Sequence, residues 1–349
     1  MKTFRIILVS ISVFTLPLLS VADLPHGYIV GWGNNALYGC SGVPSAQSSA
    51  GVVTIADQVL ANAVAITAGS DHKMALLSDG TVFSWGDNYL GDATGFYSGT
   101  EVTNGLVIIY GNVLSNVVAI SPGSLSLKSD GTVVGWRFNR DTNFIAGLSN
   151  IIVISQNLAL KKDGTVVAWG RGIHGEQYGV PAGLSNVVAV TVGRENVALK
   201  ADGTVVAWYG GSPIEFVPVP AGLSNVVAIA GGALYHLALK KDGTVFGWGV
   251  NDSGEATGVA TRDDSSGLVT IGGQVLTNIV AIAANGGISP SAGHSLALKR
   301  DGTIASWGYS PYNRLDVPAG LSNVVAIAVG DGYCLAITTN RAVGEKFRH

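Results

Sequence analysis

The sequence predicts an all-β fold, a seven-bladed β-propeller with four-stranded blades whose ring closes by pairing N-terminal and C-terminal strands in one blade. Three observations predict it. An apolar element recurs seven times, all seven tryptophans occupy one place in a second element, and the two chain ends carry complementary halves of a single repeat.

The first element reads Asn-Val-Val-Ala-Ile or close to it and starts at Asn62, Asn116, Asn150, Asn186, Asn225, Asn278 and Asn323. The second ends on tryptophan five residues after a glycine: Trp32, Trp85, Trp136, Trp169, Trp208, Trp248 and Trp307. Six of those glycines belong to Asp-Gly pairs, at Asp79, Asp130, Asp163, Asp202, Asp242 and Asp301, and the seventh is Gly27 after His26. Asp-Gly between two apolar runs is a hairpin signal, because glycine takes positive φ without steric cost.

The strands so marked are apolar on both faces. In Thr165-Val166-Val167-Ala168-Trp169 one side carries Val167 and Trp169, the other Val166 and Ala168, so each sheet must be covered twice. Small sheets stacked around an axis meet that demand and leave only short edges. A linear solenoid would too, but the ends oppose it: the first unit has a tryptophan strand with no Asn-Val-Val-Ala-Ile strand before it, and the last, Asn323 to Thr338, lacks a tryptophan strand. Joined, they complete one blade.

Loops come in two lengths. From tryptophan to the next repeat asparagine the spacing is 14 to 17 residues in four units and 30 or 31 in those starting at Trp32, Trp85 and Trp248. The long ones contain Val53-Thr54-Ile55, Val107-Ile108-Ile109 and Val269-Thr270-Ile271, where the short ones mostly read Val-Pro-Ala-Gly-Leu-Ser-Asn. Both are read as the fourth, outer strand.

With 349 residues, 47% apolar, 12% charged and 48 glycines, the chain can bury a large core while turning often. A net charge of −3 gives no electrostatic footprint for nucleic acid or anionic membrane. Lys2 and Arg5, the apolar run Ile6 to Leu19 and Ser20-Val21-Ala22 read as a signal peptide over 1–22 cleaved after Ala22. The expectation is a secreted or periplasmic protein: a propeller over 23–340 and a tail over 341–349, with no membrane span. Exported chains keep disulfides. Cys334 opens a strand of the closing blade and Cys40 lies in the loop after Trp32 of that blade, so a Cys40–Cys334 bridge is expected to pin the seam, contributing on the order of 4 kcal/mol in the chain-entropy model.

The combination of Asn225 to Gly232, His294-Ser295-Leu296-Ala297-Leu298, the Asp-Gly hairpin, the Trp-Gly pair and Val180-Pro181-Ala182-Gly183-Leu184 resembles the regulator of chromosome condensation repeat family over nearly the whole mature chain. The short units are closest in style to secreted bacterial propellers that include a β-lactamase inhibitor protein. The resemblance implies a propeller that binds a protein, with enzyme inhibition one form of that role. The family name also implies guanine-nucleotide exchange on a nuclear GTPase with chromatin binding, which the signal segment and the lack of a basic tail oppose.

Strand parity assigns the loops to two faces. The turn before Leu-Ala-Leu and the loop after Trp-Gly share an upper face; Asp-Gly hairpins and Leu-Ser-Asn turns share a lower one. The lower turns are nearly uniform, while the upper ones vary, as in Ser70-Asp71-His72, Arg194-Glu195-Asn196, Ala233-Leu234-Tyr235 and Gly332-Tyr333. Variable loops on a rigid scaffold are where binding usually sits. Candidate anchors on that face are Tyr38, Tyr89, Phe96, Tyr97, Tyr178, Tyr235, Tyr309, Tyr312 and Tyr333.

The sequence offers no catalytic constellation. Gly170-Arg171-Gly172-Ile173-His174-Gly175 fits a dinucleotide pattern but leads into Val180-Pro181, not a helix. His72 and His294 share a slot that other repeats fill with Gly123, Gln156, Glu195, Tyr235 and Tyr333, which reads as structural. Asp71-His72 could pair as acid and base, but adjacent residues of an extended segment point apart. The upper acids Asp71, Asp87, Asp92, Glu195 and Asp331 follow no paired spacing that a hydrolase or lyase in the axial funnel would need. Lys128, Lys161, Lys162, Lys200, Lys240, Lys241, Lys299 and Arg300 border the lower hairpins, where each Asp offsets them. The sequence therefore predicts a non-enzymatic, monomeric protein binder without cofactor, metal or nucleic acid.

Overall fold

The structure, a computed structural model, describes residues 21–35, 49–55, 58–69, 72–88, 91, 93–95, 102–136, 148–170, 179–193, 195–209, 215–261, 263–285, 293–340 and 342. Among them the fold is all-β, with only short 3-10 turns besides strands. The strands form seven antiparallel sheets of three or four strands and three two-stranded ribbons. Each sheet is named here by its tryptophan.

A typical unit is the Trp248 sheet, with strands Val226–Gly231, Tyr235–Lys240, Val245–Gly249 and Ser265–Leu268 in that order. The asparagine before each first strand holds φ between 52° and 61° at Asn62, Asn116, Asn150, Asn186, Asn225, Asn278 and Asn323. Asparagine tolerates this left-handed conformation better than other residues with a Cβ, which explains why every repeat starts with it. The hairpin glycines, such as Gly243 at φ 82°, do the same for the Asp-Gly turns. There the aspartate closes the turn: Asp242 Oδ1 accepts from Thr244 N at 2.9 Å and from Thr244 Oγ1 at 2.6 Å. The hydroxyl bond first, then the amide bond, holds the Asp242 carboxyl below its usual pKa.

The Trp32 sheet joins the two chain ends. Tyr28–Gly33 lies between Ser49–Val52 and Tyr333–Thr338, with Val324–Val329 beyond. Trp32 pairs with Cys334 and Val30 with Ala336 across the central register.

Sheets pack face to face. The first strand of each sheet contacts the first strand of the next, from Ala63–Ala68 onward through Val117–Ser121, Ile151–Ser155, Val187–Val192, Val226–Gly231 and Ile279–Asn285 to Val324–Val329, which contacts Ala63–Ala68. Each interface holds one tryptophan among aliphatic side chains. Trp85 lies with Ile29, Ile66, Leu335 and Ile337, Trp136 with Met74 and Leu76, and Trp169 with Leu125 and Leu127. Trp208 packs with Leu158 and Leu160, Trp248 with Val197 and Leu199, Trp307 with Leu237 and Leu239, and Trp32 with Leu296 and Leu298. An aromatic of this size buries 150–250 Å² and dominates such an interface, so the one-per-repeat tryptophan is one anchor per seam.

The lower face adds a backbone link at each seam. Val117 N donates to Gly80 O, Ile151 N to Gly131 O, Val187 N to Gly164 O, Val226 N to Gly203 O, Ile279 N to Gly243 O and Val324 N to Gly302 O. Ala63 N donates to Gly27 O at 3.1 Å, so His26-Gly27 fills the place of a seventh hairpin.

The outer strand departs from expectation. In the long units it is Ser49–Val52, Val102–Leu106 and Ser265–Leu268. Thr54–Ile55, Ile108–Ile109 and Thr270–Ile271 instead fold into ribbons with Gln58–Val59, Asn112–Val113 and Gln274–Val275. The Val-Pro-Ala-Gly-Leu-Ser-Asn segments are turns, because proline lacks the donor a ladder needs. The Trp208 sheet gains its fourth strand from Glu215–Val217, before that segment. The Trp307 sheet has three strands, and the described residues give three to the Trp136 and Trp169 sheets. Four strands per blade is thus corrected to three or four.

Candidate protein-interaction face

The loop after Trp307 is built from the inside out. Arg314 is buried, and its carbonyl accepts the Trp32 indole N–H at 2.9 Å. Its Nη1 donates to His294 Nδ1 at 3.2 Å, which leaves the proton on Nε2, 3.3 Å from Cys334 Sγ. The thiol donates to the Arg314 carbonyl at 3.4 Å, closing a circuit. Burial first, and then the Arg314 charge, lower the His294 pKa to about 3 against an opposing hydrogen bond to the Tyr333 backbone. His294 is therefore a neutral structural group at any physiological pH. Above the circuit the Arg314 guanidinium lies 5.0 Å from the Tyr309 ring centroid. Tyr309 is 39% exposed; Tyr312, held at φ 61°, is 59% exposed.

The loop after Trp248 adjoins it. Trp307 Nε1 and Ser295 Oγ both donate to the Glu255 carbonyl, at 2.9 and 3.1 Å, and a Cβ on Gly308 would touch Glu255. Asn251, fully buried, organises this loop: Oδ1 accepts from Ala256 N and Thr257 N, while Nδ2 donates to Val259 O. Asn88 plays the same part after Trp85, accepting from Ala93 N and Thr94 N. Burial raises the pKa of Glu255, whose carboxylate accepts from Ser253 N at 2.7 Å. From this frame Val259 projects 55% exposed. The two loops thus present Val259, Tyr309 and Tyr312 on a fixed base.

The other candidate residues divide. Tyr38, Tyr89, Phe96, Tyr97, Tyr178 and Cys40 lie outside the described residues, as do Asp71, Asp92 and 171–178 of the glycine-rich motif. Tyr235 and Tyr333 are buried, which corrects their assignment as surface anchors. Tyr235 OH donates to His294 O at 2.7 Å and lies 2.9 Å from Ser295 Oγ; Tyr333 OH donates to Gly69 O at 2.7 Å. Both rings cross to the neighbouring sheet because a hydroxyl at this depth needs a partner there. Cys334 is buried as a thiol in the circuit above.

Val259 was missed, being an isolated aliphatic in a polar loop. So was a lower-face hairpin, Ile108–Ile109 and Asn112–Val113, with Tyr110 98% exposed at φ 49°. Its counterpart ribbon has Gly272 there, at φ 58°, so comparing the two ribbons would have exposed the oddity. Among the described residues no three His, Cys, Asp or Glu gather as a metal site, and no helix is long and apolar enough to cross a membrane.

The arrangement defines a class: a β-propeller-type scaffold of stacked small sheets displaying loops. Residues 63–92 and 226–255 match the family described as Regulator of chromosome condensation (RCC1) repeat, and the chain carries repeats of that family. Its fold is similar to that of Prp20p from Saccharomyces cerevisiae, at TM-score 0.63 and 17% identity, covering 93% of this chain and 94% of that one. That structure was described with its binding properties to Gsp1p and histones. Yeast RCC1 (Prp20) bound to Kap60 gives TM-score 0.62 at 16% identity over 93% and 92% of the two chains. Human WBSCR16 gives 0.59 at 16% identity over 90% and 100%. At these identities the likeness shows the fold alone.

Proposed function

We propose that this chain is an exported, monomeric, seven-bladed propeller that binds another protein through its upper face, with inhibition of an extracellular enzyme as the form of binding its short repeats suggest. The observation that carries it is the exposed trio Val259, Tyr309 and Tyr312 on two interlocked loops. Exposed aromatic side chains on a rigid base lose little entropy on docking, which is what a binding anchor requires. The ring reading is supported by the shared terminal sheet and by the contact of Val324–Val329 with Ala63–Ala68. Export through residues 1–22, with Asp23 as the mature N-terminus, belongs to the same reading and rests on the sequence, as does a Cys40–Cys334 bridge, whose formation would remove the thiol proton donated to the Arg314 carbonyl and leave the Cys334 sulfur as an acceptor beside His294 Nε2. Prp20p was described with its binding to Gsp1p and histones and bound to Kap60, which agrees with a scaffold and names no partner for this chain.

The exposed hairpin tip at Tyr110 favours a second surface, on the lower face. One experiment separates the two. The mature protein, Tyr309→Ala/Tyr312→Ala and Tyr110→Ala, each checked for folding by circular dichroism, are used to capture partners from an envelope and extracellular extract. Loss of a partner only with the double variant supports the upper face. Loss only with Tyr110→Ala transfers binding to the lower hairpin, and the absence of any partner refutes the scaffold reading.

A further inference from the structure

At five of the seven sheets the variable residue that opens the second strand faces the next sheet; Gln156 is exposed instead. In chain order the first of the two positions carries His72, Gly123, Gln156, Glu195, Tyr235, His294 and Tyr333, and the following one Lys73, Ser124, Asn157, Asn196, His236, Ser295 and Cys334. At five seams the first position of one sheet meets the second position of the next. His72 Nε2 lies 3.3 Å from Ser124 Oγ, Glu195 Oε2 2.9 Å from His236 Nε2, and Tyr235 OH 2.9 Å from Ser295 Oγ. His294 Nε2 lies 3.3 Å from Cys334 Sγ, and Lys73 Nζ sits 4.6 Å from the centroid of the Tyr333 ring. The last contact runs from the C-terminal strand to the first complete sheet, so one rule applies at both ends of the chain.

No two of these pairs are alike, whereas the apolar strands around them are nearly interchangeable: Val226-Val227-Ala228-Ile229 and Val324-Val325-Ala326-Ile327 are identical. Apolar packing therefore rewards a wrong neighbour almost as well as the right one. The buried pairs do not, because Glu195 facing a thiol, or Tyr235 facing an imidazole already engaged elsewhere, leaves a buried polar group without its partner. We propose that these pairs are addresses: they fix which sheet packs on which, and so the order and closure of the stack, in a chain whose repeats would otherwise exchange places within or between molecules.

The test refolds the full chain from urea and measures the monomer fraction by size-exclusion chromatography, alongside the unfolding midpoint. Glu195→His and His236→Glu singly should lower the midpoint and move several-fold more material into exchanged oligomers. The double exchange Glu195→His/His236→Glu, which restores the pair in reverse, should return both readouts most of the way, a coupling of roughly tenfold in the folded-to-unfolded ratio. Tyr235→Phe keeps the ring and removes only the hydroxyl, so it serves if the charge variants fail to fold; it too should raise the oligomer fraction. Ile229→Val, a core truncation with a cost of about 1 kcal/mol that lies outside every pair, should not. Equal monomer fractions for all variants, oligomers from Ile229→Val as abundant as from Tyr235→Phe, or a double exchange no better than the singles would overturn the address role.

Discussion

His294 supplies a pH dependence that can be worked out in advance. Its folded pKa is about 3, against 6.5 for an unperturbed imidazole. The folded pKa lies below the unfolded one, so the unfolded chain binds the proton first and acid favours unfolding. The contribution is intact above pH 6.5 and is lost progressively as pH falls toward 3. At pH 5.0 the loss is 1.5 pH units at 1.36 kcal/mol each, about 2 kcal/mol. Burial is the first cause, and the geometry adds the second: Arg314 Nη1 donates to Nδ1, so a second proton there would face a cation.

Urea unfolding followed by tryptophan fluorescence at pH 7.5 and 5.0 measures the effect, with His294→Gln as the comparison. Glutamine can still accept from Arg314 and donate toward Cys334 but does not titrate. The wild type should lose about 2 kcal/mol more than the variant between the two pH values, whatever the variant's stability at pH 7.5. Equal losses would refute the assignment of a neutral, cation-capped imidazole, because titration elsewhere is common to both proteins.

Three further outcomes follow from the repeat geometry. Asn225→Ala, exposed and at φ 56°, should cost about 1 kcal/mol in urea unfolding while Asn225→Gly stays within a few tenths, since the strain resides in the Cβ. Gly27→Ala should weaken the terminal sheet, because a Cβ there collides with the Thr338 carbonyl; amide exchange at 28–33 should speed up more than at 245–249. Thr244→Val removes the hydroxyl that contributes most to holding the Asp242 carboxyl low, so NMR titration should find that pKa moved up toward the ordinary range.

Much of this architecture was legible in the residues. Seven asparagines mark where each repeat begins, although their left-handed backbone is seen only in the structure, and seven tryptophans with none left over point to one packing site per repeat. Gly27 could be counted with the Asp-Gly turns because spacing, not the aspartate, identified it. The outer strand was not legible. Val53-Thr54-Ile55 has the β-branched composition of a strand, and whether it pairs with the tryptophan strand or with Gln58–Val59 depends on tertiary contacts that composition does not carry. The burial of Tyr235 and Tyr333 was hidden for a similar reason: a tyrosine beside a turn reads as surface until the neighbouring sheet is placed over it.

That last point changes how variation between repeats should be interpreted in this fold. Uniform positions, the asparagines, glycines and tryptophans, serve contacts that every seam makes alike. Variable positions divide into two populations with different physics. Glu195, Tyr235, His294 and Tyr333 vary because each must match a different residue on the next sheet, and all four are held by partners there. Val259, Tyr309, Tyr312 and Tyr110 instead project into solvent, Tyr309 with one ring face against Arg314. Variability alone thus selects seam residues as readily as binding residues. Exposure on a loop whose backbone is fixed from below separates the second population, and under the proposed binding role it is these residues, in the loops after Trp248 and Trp307 and at the Tyr110 hairpin, that substitution should test before the turns that open the second strands.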